Sequence, residues 1–257
     1  MARGGTSPSS TIRKPSRLKL STCSSVTSSK SAGCRAAVAT KVRYRRVKEL
    51  NKQPLESFLA AVAEATPAPG GGTSAAVTAA LAAALVEMAA RIGSAKQSSA
   101  QMGGARTAAE TPEAGQPRAA GLETAELASE LRARALRLAE EELSSYAPVL
   151  EARTPEEREL ALGVASEPPA RVAETAAEVA ELGVHVAQSS SAAVRGDALT
   201  GVVLAEAAAA AAARLVEINV GSGPVFDRAR RAELRAADAR AAATGHAPPP
   251  PGPPIPR

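Results

Sequence analysis

The 257-residue chain has no tryptophan and only two phenylalanines, two tyrosines, two cysteines and two histidines. Each scarcity excludes something. With aromatics at 2 per cent, a core has to be assembled from alanine, leucine and valine. Alanine favours helix and lets helices approach closely, so the composition points to an all-α bundle. No run of alternating β-branched residues reads as a strand. Cys23 and Cys34 cannot form a disulfide framework or, with His185 and His246 far apart in sequence, a structural zinc site. No metal is expected.

Acidic residues are missing from one region only. Residues 1–50 hold 12 lysines and arginines against one acid, Glu49, whereas the remaining 207 residues hold 19 basic and 25 acidic ones. The net charge of +5 therefore belongs to the leader, and the rest is acidic. That split argues against nucleic acid as the partner of the folded part. The leader is Ser/Thr-rich and has no apolar run of secretory length. Its composition fits a transit peptide, a disordered basic tail or a start codon placed too far upstream. Three regions are expected: a disordered leader over 1–50, a helical domain over 51–243 and a disordered proline-rich tail over 244–257, HAPPPPGPPIPR at its end.

The most informative stretch is TPAPGGGTSAAVTAALAAALVEMAARI, residues 66–92. Pro67 and Pro69 stiffen the approach, and Gly70, Gly71 and Gly72 free the backbone to turn and expose its amides. Thr73 or Ser74 is placed as the N-cap of an apolar helix reaching Ile92. A glycine loop feeding a helix N-terminus offers free N–H groups and a positive dipole end to an anion or to a polar ring edge. It is not a P-loop, because no Gly-Lys-Ser/Thr follows and no strand precedes. The helical spacing of LESFLAAVAEA before it also excludes a dinucleotide fingerprint.

Helical periodicity organises the rest. A first helix over 54–65 carries Phe58, Leu59 and Val62 on one face, and the second carries Val77, Leu81, Leu85, Met88 and Ile92. Glu87 and Arg91 favour a buried bundle helix over a membrane span for that second helix. Gly103, Gly104, Pro112, Gly115, Pro117 and Gly121 mark 93–121 as a loop. A third helix over 122–152 sets Leu127, Leu131, Leu138, Tyr146 and Leu150 inward, with a kink at Pro148. Thr154-Pro155-Glu156-Glu157 is the start signal of a fourth helix. Glu167-Pro168-Pro169 starts a fifth, reaching Gln188. A sixth runs from Asp197 to Val220, closed by Gly221 and Gly223, and a charged seventh spans 225–243.

The run ESFLAAVAEATPAPGGGTSAAVTAALAAALVEMAARI resembles the opening of the cyclodeaminase/cyclohydrolase family. The similarity continues at LRLAEEELSSYAPVLEA, at ASEPPARVAETAAEVAEL and at GDALTGVVLAEAAAAAAARLVEIN, covering about residues 55–222. The resemblance implies an antiparallel bundle that pairs into homodimers in the cytoplasm. It also implies a metal-free enzyme acting on a tetrahydrofolate derivative, either a methenyltetrahydrofolate cyclohydrolase or a formimidoyltetrahydrofolate cyclodeaminase. Neither nucleic acid nor a membrane is an expected partner. A ligand-binding module without turnover, or a structural helical dimer, is the alternative.

A methenyl bridge is an electrophilic amidinium carbon, and opening it needs a delivered water, a base and negative charge near the cation. Glu142, four residues before Tyr146, stands where relatives have an Asp four residues before a Phe. Asp197 stands where they carry Ser-Asp-Ala, and as a helix N-cap it also has a purely structural explanation. Both are catalytic candidates. Gly70, Gly71, Gly72 and Ser74 are candidates for substrate binding. So is Lys96, in a region where relatives have a basic segment with a Tyr that is missing here. Asn219 in VEIN completes the set, as an amide able to pair with a pterin edge. Ser191 and Ala193 occupy positions where relatives often have Asn, and Gly196 one where they have Ser. His185 is read as a packed or surface residue.

Overall fold

The computed structural model describes residues 50–103 and 116–245. Over these, the chain is all-α: a 3₁₀ turn Leu50–Lys52, then α1 Leu55–Ala63, α2 Gly71–Gly103, α3 Gln116–Ser145, α4 Ala147–Glu151, α5 Pro155–Ala165, α6 Glu167–Ser189, α7 Ala192–Val220 and α8 Pro224–Thr244. Five long helices, α2, α3, α6, α7 and α8, alternate in direction. Gly72 faces Glu142 and Gly121 faces Ser94, which sets α3 antiparallel to α2. Gly201 meets Ala82 and Val86 while Leu215 meets Gly71, so α7 also runs against α2. The turns around 64–70, 145–167 and 220–224 consequently gather at one end of the bundle.

Alanine fills the interior, and that reverses part of the expected patterning. On α2 the fully buried positions are Ala76, Ala79, Ala82, Ala83, Val86 and Ala89, while Leu81 and Met88 turn outward. On α3, Leu131 and Leu138 are buried as expected, but Leu127 lies on the surface, as does Leu150 on α4. On α1 only Phe58 is buried, and Leu59 and Val62 are exposed. A methyl-lined interior draws helix axes together, and the larger side chains are displaced to the flanks. The closest crossings use glycine: a Cβ on Gly183 would stand 2.7 Å from Val202 Cγ2, and one on Gly201 2.9 Å from Val86 Cγ2.

Several boundaries differ from the sequence reading. Helix α2 continues to Gly103, and α3 starts at Gln116, so much of the expected loop over 93–121 is helical. The chain breaks at Tyr146 and restarts as α4 with Pro148 in its first turn, so the expected kink is a full interruption. Helix α7 begins at Ala192, not Asp197; Asp197 is therefore inside the helix and not its N-cap. Leu50, counted with the leader on sequence grounds, is buried in the core. The remaining expectations for the leader and the proline-rich tail fall outside the described residues. The start signal at Thr154 forms a complete capping box: Thr154 Oγ1 accepts from the Glu157 N–H at 3.2 Å, and Glu157 accepts from the Thr154 N–H at 3.3 Å. Gly221, at φ 68°, closes α7 in the left-handed region.

Ion pairs lace the outer surfaces. Arg228 on α8 reaches both Glu167 and Glu174 on α6, and Arg235 reaches Glu181. Arg134 holds Glu178, and Arg240 holds Glu206. All are partly solvated, so each contributes on the order of 1 kcal/mol or less.

Candidate active site

At the end where the turns gather, a cavity of about 290 Å³ is lined by Pro67, Ala68, Gly70, Gly71, Gly72, Thr73, Glu142, Ser145, Tyr146, Ala165, Pro169, Leu215, Ile218 and Asn219. Four segments far apart in sequence converge on it. They are the start of α2, the end of α3, the α5–α6 junction and the end of α7.

The glycine run supplies the floor. The Ala68–Pro69 peptide is cis, and the helix begins at Gly71, three or four residues earlier than an N-cap at Thr73 or Ser74 requires. The first bond of the helical ladder runs from the Ser74 N–H to the Gly70 carbonyl at 3.0 Å. The N–H groups of Gly71, Gly72 and Thr73 precede that ladder and point out of the N-terminus. Ser74 does not cap the helix. Its hydroxyl donates back to the Gly70 carbonyl at 2.9 Å, and it is not among the cavity-lining residues.

Over this floor lies Glu142. Of three consecutive glutamates, Glu140 and Glu141 are exposed, and Glu141 pairs with Arg171 at 2.7 Å. Glu142 alone of the three turns inward. A Cβ on Gly72 would lie 2.1 Å from Glu142 Oε2 and 2.5 Å from its carboxyl carbon. Only glycine lets the carboxyl group come this close to the helix start. Glu142 Oε1 is buried and has no hydrogen-bond partner among the described residues. Burial pushes the carboxyl group up from 4.5 to about 7. The positive end of α2 beside it works the other way and favours the carboxylate. A carboxyl group balanced between its two protonation states near neutrality, in a side chain that lines the cavity, is equipped to take a proton or to hold a cation.

Of the sequence candidates, Gly70, Gly71, Gly72, Glu142 and Asn219 come together here. Asp197 does not. It lies on the same helix as Asn219 but 22 residues earlier, roughly 33 Å along the axis at 1.5 Å per residue. Lys96 belongs to α2, toward the far end of the bundle, and its side chain is outside the described residues. His185 lines a second cavity, of about 220 Å³, at that far end with Ser94, Thr124 and Ser189. Ser145 and Leu215 were not singled out from sequence. Thr73, read from sequence only as a possible N-cap, is almost fully buried and lines the cavity. Among the described residues no three His, Cys, Asp or Glu side chains cluster to hold a metal ion.

The family model for formiminotransferase-cyclodeaminase matches residues 54–240, well over half of the chain. The chain belongs to the formiminotransferase-cyclodeaminase family. Every cavity-lining residue falls within the matched span. Among solved structures, the crystal structure of formiminotetrahydrofolate cyclodeaminase from Thermotoga maritima is similar, with a TM-score of 0.64 at 21% sequence identity. The match covers 77% of this chain and 96% of that one. At this identity the likeness concerns the bundle itself. No curated protein sequence matches. The family assignment thus rests on the matched span, and the helical bundle follows from it and from the observed structure alike.

Proposed function

We propose that this family member is a folate one-carbon enzyme acting at the C–N bond of a one-carbon bridge, as a methenyltetrahydrofolate cyclohydrolase or a formimidoyltetrahydrofolate cyclodeaminase. The observation that carries the reading is the Glu142 carboxyl group, poised near neutrality over the free N–H groups that open α2. In the hydrolytic form, a water oxygen adds to the amidinium carbon, and Glu142 takes the water proton. The C–N bond then breaks as a proton is delivered to the departing ring nitrogen. In the deaminating form, a ring nitrogen adds to the formimino carbon, and ammonia leaves from that carbon after protonation. Both routes need a base and a negative charge at one place, and neither needs a metal.

The backbone N–H groups of Gly71, Gly72 and Thr73 suit a carbonyl or carboxylate oxygen of the substrate. The Asn219 amide suits the mixed donor and acceptor edge of a pterin. The same reading places the protein in the cytoplasm as a homodimer, binding a tetrahydrofolate derivative and neither nucleic acid nor membrane. The outward apolar side chains of α2 and α7 support the dimer.

The test is turnover of 5,10-methenyltetrahydrofolate and of the formimino adduct by the purified chain and by Glu142→Gln. Loss of a general base lowers kcat by ~10²-fold or more with ligand affinity affected far less. Equal loss of affinity and kcat would make Glu142 an electrostatic partner of the cation instead. Binding of the folate without turnover would identify a non-catalytic ligand-binding module. Absence of binding by the folded chain would refute the folate reading.

A further inference from the structure

As a rule a buried polar side chain has a hydrogen-bond partner, and one without it calls for an explanation. A threonine inside a helix usually supplies its own, by donating to the carbonyl four residues earlier. Thr78, Thr175, Thr200 and Thr244 all do so in this bundle, at 2.8 or 2.9 Å. Ser74 does the same toward Gly70 at 2.9 Å. Thr73 breaks the pattern. It is only 2% exposed, yet its hydroxyl has no hydrogen-bond partner among the described residues. The carbonyl it would need belongs to Pro69, ahead of the first residue of α2.

Thr73 lines the Glu142 cavity. Ser145, the other aliphatic hydroxyl in that wall, is already engaged, donating to the Glu142 carbonyl at 3.1 Å. Thr73 also follows Gly72 directly, and Gly72 is where the Glu142 carboxyl group comes against the helix. A free hydroxyl and a carboxyl group with a buried, unpartnered oxygen therefore meet the same cavity at neighbouring positions of one helical turn.

The chemistry of the two groups says what they hold together. An ionised carboxylate only accepts, and a threonine hydroxyl can accept as well as donate. A molecule shared between them must offer a hydrogen to each. To react, it must also keep a lone pair free. Water meets both conditions, and so does ammonia at the nitrogen. A pterin edge, with its donors and acceptors fixed in a ring, suits the Asn219 amide instead.

We propose that the Thr73 hydroxyl positions the water that attacks the one-carbon bridge. The water gives one hydrogen to the Glu142 carboxylate as its oxygen bonds to the amidinium carbon. Its other hydrogen stays on that oxygen and is held by Thr73 Oγ1, so the lone pair is aimed at the carbon. In the deaminating form the same two oxygens hold the ammonia as it departs. The substrate contact expected of Ser74 falls to its neighbour, because the Ser74 hydroxyl is occupied by the Gly70 carbonyl. This role rests on the folate reading above.

The experiment compares the full chain with Thr73→Val and Thr73→Ser, using whichever of the two folate substrates the wild-type chain turns over. Valine keeps the branched shape and the backbone N–H and removes only the hydroxyl. Thr73→Val should lose about tenfold in kcat, the scale of one hydrogen bond to a reacting group, with KM within about twofold. Thr73→Ser should return kcat to within about threefold of wild type. Since no protein hydrogen bond is removed, the urea midpoint of Thr73→Val should equal or exceed that of wild type. In a Glu142→Gln chain, Thr73→Val should cost less than about twofold more, because both groups act on one water. Wild-type kcat in Thr73→Val overturns the proposal, as does a loss that serine fails to restore. A raised KM with kcat kept would assign the hydroxyl to the folate itself, and a lowered urea midpoint would assign it to the fold. Either result overturns the water-positioning role, as do fully additive losses in the double variant. A wild-type chain that turns over neither substrate refutes the folate reading, and this role with it, whereas turnover unaffected by Thr73→Val refutes the role alone.

Discussion

Gly71 and Gly72 are neighbours in sequence and in the same turn of helix, but the structure predicts opposite outcomes when each becomes alanine. The added methyl at position 71 meets Leu215 at 3.6 Å and 3.7 Å, ordinary contact distances. At position 72 it would stand 2.1 Å from Glu142 Oε2 and 2.5 Å from the carboxyl carbon. Relief to normal contact requires a shift of about 1 Å or more, and the carboxyl group, at the end of a flexible side chain, is the atom group that moves. Misplacing a catalytic group by ~1 Å costs about 10²-fold in rate. The backbone has no reason to unfold, since alanine in a first helical turn is intrinsically favoured over glycine by ~0.5–1 kcal/mol. Gly72→Ala should therefore lose about 10²-fold in kcat/KM for methenyltetrahydrofolate while its urea midpoint stays within ~1 kcal/mol of wild type. Gly71→Ala should keep both within a few-fold. The assay is loss of methenyl absorbance alongside equilibrium unfolding. Full turnover in Gly72→Ala would refute the placement of Glu142, and equal damage in both variants would show that the loop needs glycine for conformation only.

The remaining predictions concern pH and packing. Glu142 is raised to about 7 in the folded chain from 4.5. Between those two values the unfolded chain releases the proton while the folded one keeps it, so stability falls as pH rises through that window and levels off above it. The loss is at most about 3 kcal/mol; Glu142→Gln removes it, so the variant should gain on wild type from pH 5 to pH 8 in chemical denaturation, and parallel pH curves would refute the burial argument. Because the base works ionised, kcat/KM should rise with pH through about 7, a limb that Glu142→Gln abolishes. Gly183→Ala forces a methyl to 2.7 Å from Val202 Cγ2 and should cost ~1–3 kcal/mol in urea unfolding. Gly163→Ala meets open space and should be neutral or gain ~0.4–1 kcal/mol, and a reversal of the two would contradict the helix crossing described here.

Glu142 and the glycine run were legible because each has a local signature. Three glycines before an apolar helix mark a loop that needs close approach, and a glutamate four residues before Tyr146 sits at a fixed position on its helix. That these two meet is tertiary, and no spacing in the chain announces it. Asp197 misled because Gly196-Asp197 after a serine cluster imitates a helix start. Helix α7 runs through Gly196 because packing from Val194 and Ala198 holds the turn. The outward Leu81, Met88 and Leu127 were misread for a different reason. In an alanine-cored bundle the inward stripe is made of the smallest apolar residue, so the largest ones mark the flanks. Gly183 and Gly201 gave no signal at all, since a glycine inside a helix pattern reads as a weakness until a neighbour is found against it.

The ladder between α6 and α8 repeats every seven residues: Glu167, Glu174 and Glu181 on one helix, Arg228 and Arg235 on the other. A seven-residue repeat brings the same face round after two turns. If α8 slid by one repeat toward the end of α6, about 10.5 Å, Arg228 would meet Glu174 and Glu181, but Arg235 would face Gln188 and Arg240 would leave Glu206. The charges thus choose which face of α8 is applied, in which sense it runs and where along the axis it stops. The tether acts to the same end, because Gly221 and Gly223, at φ 68° and 99°, hold the turn from α7 into α8 tight. Lengthening that turn by a few flexible residues should therefore leave α8 where it is, since every slide by one repeat gives up ion pairs that the present position makes.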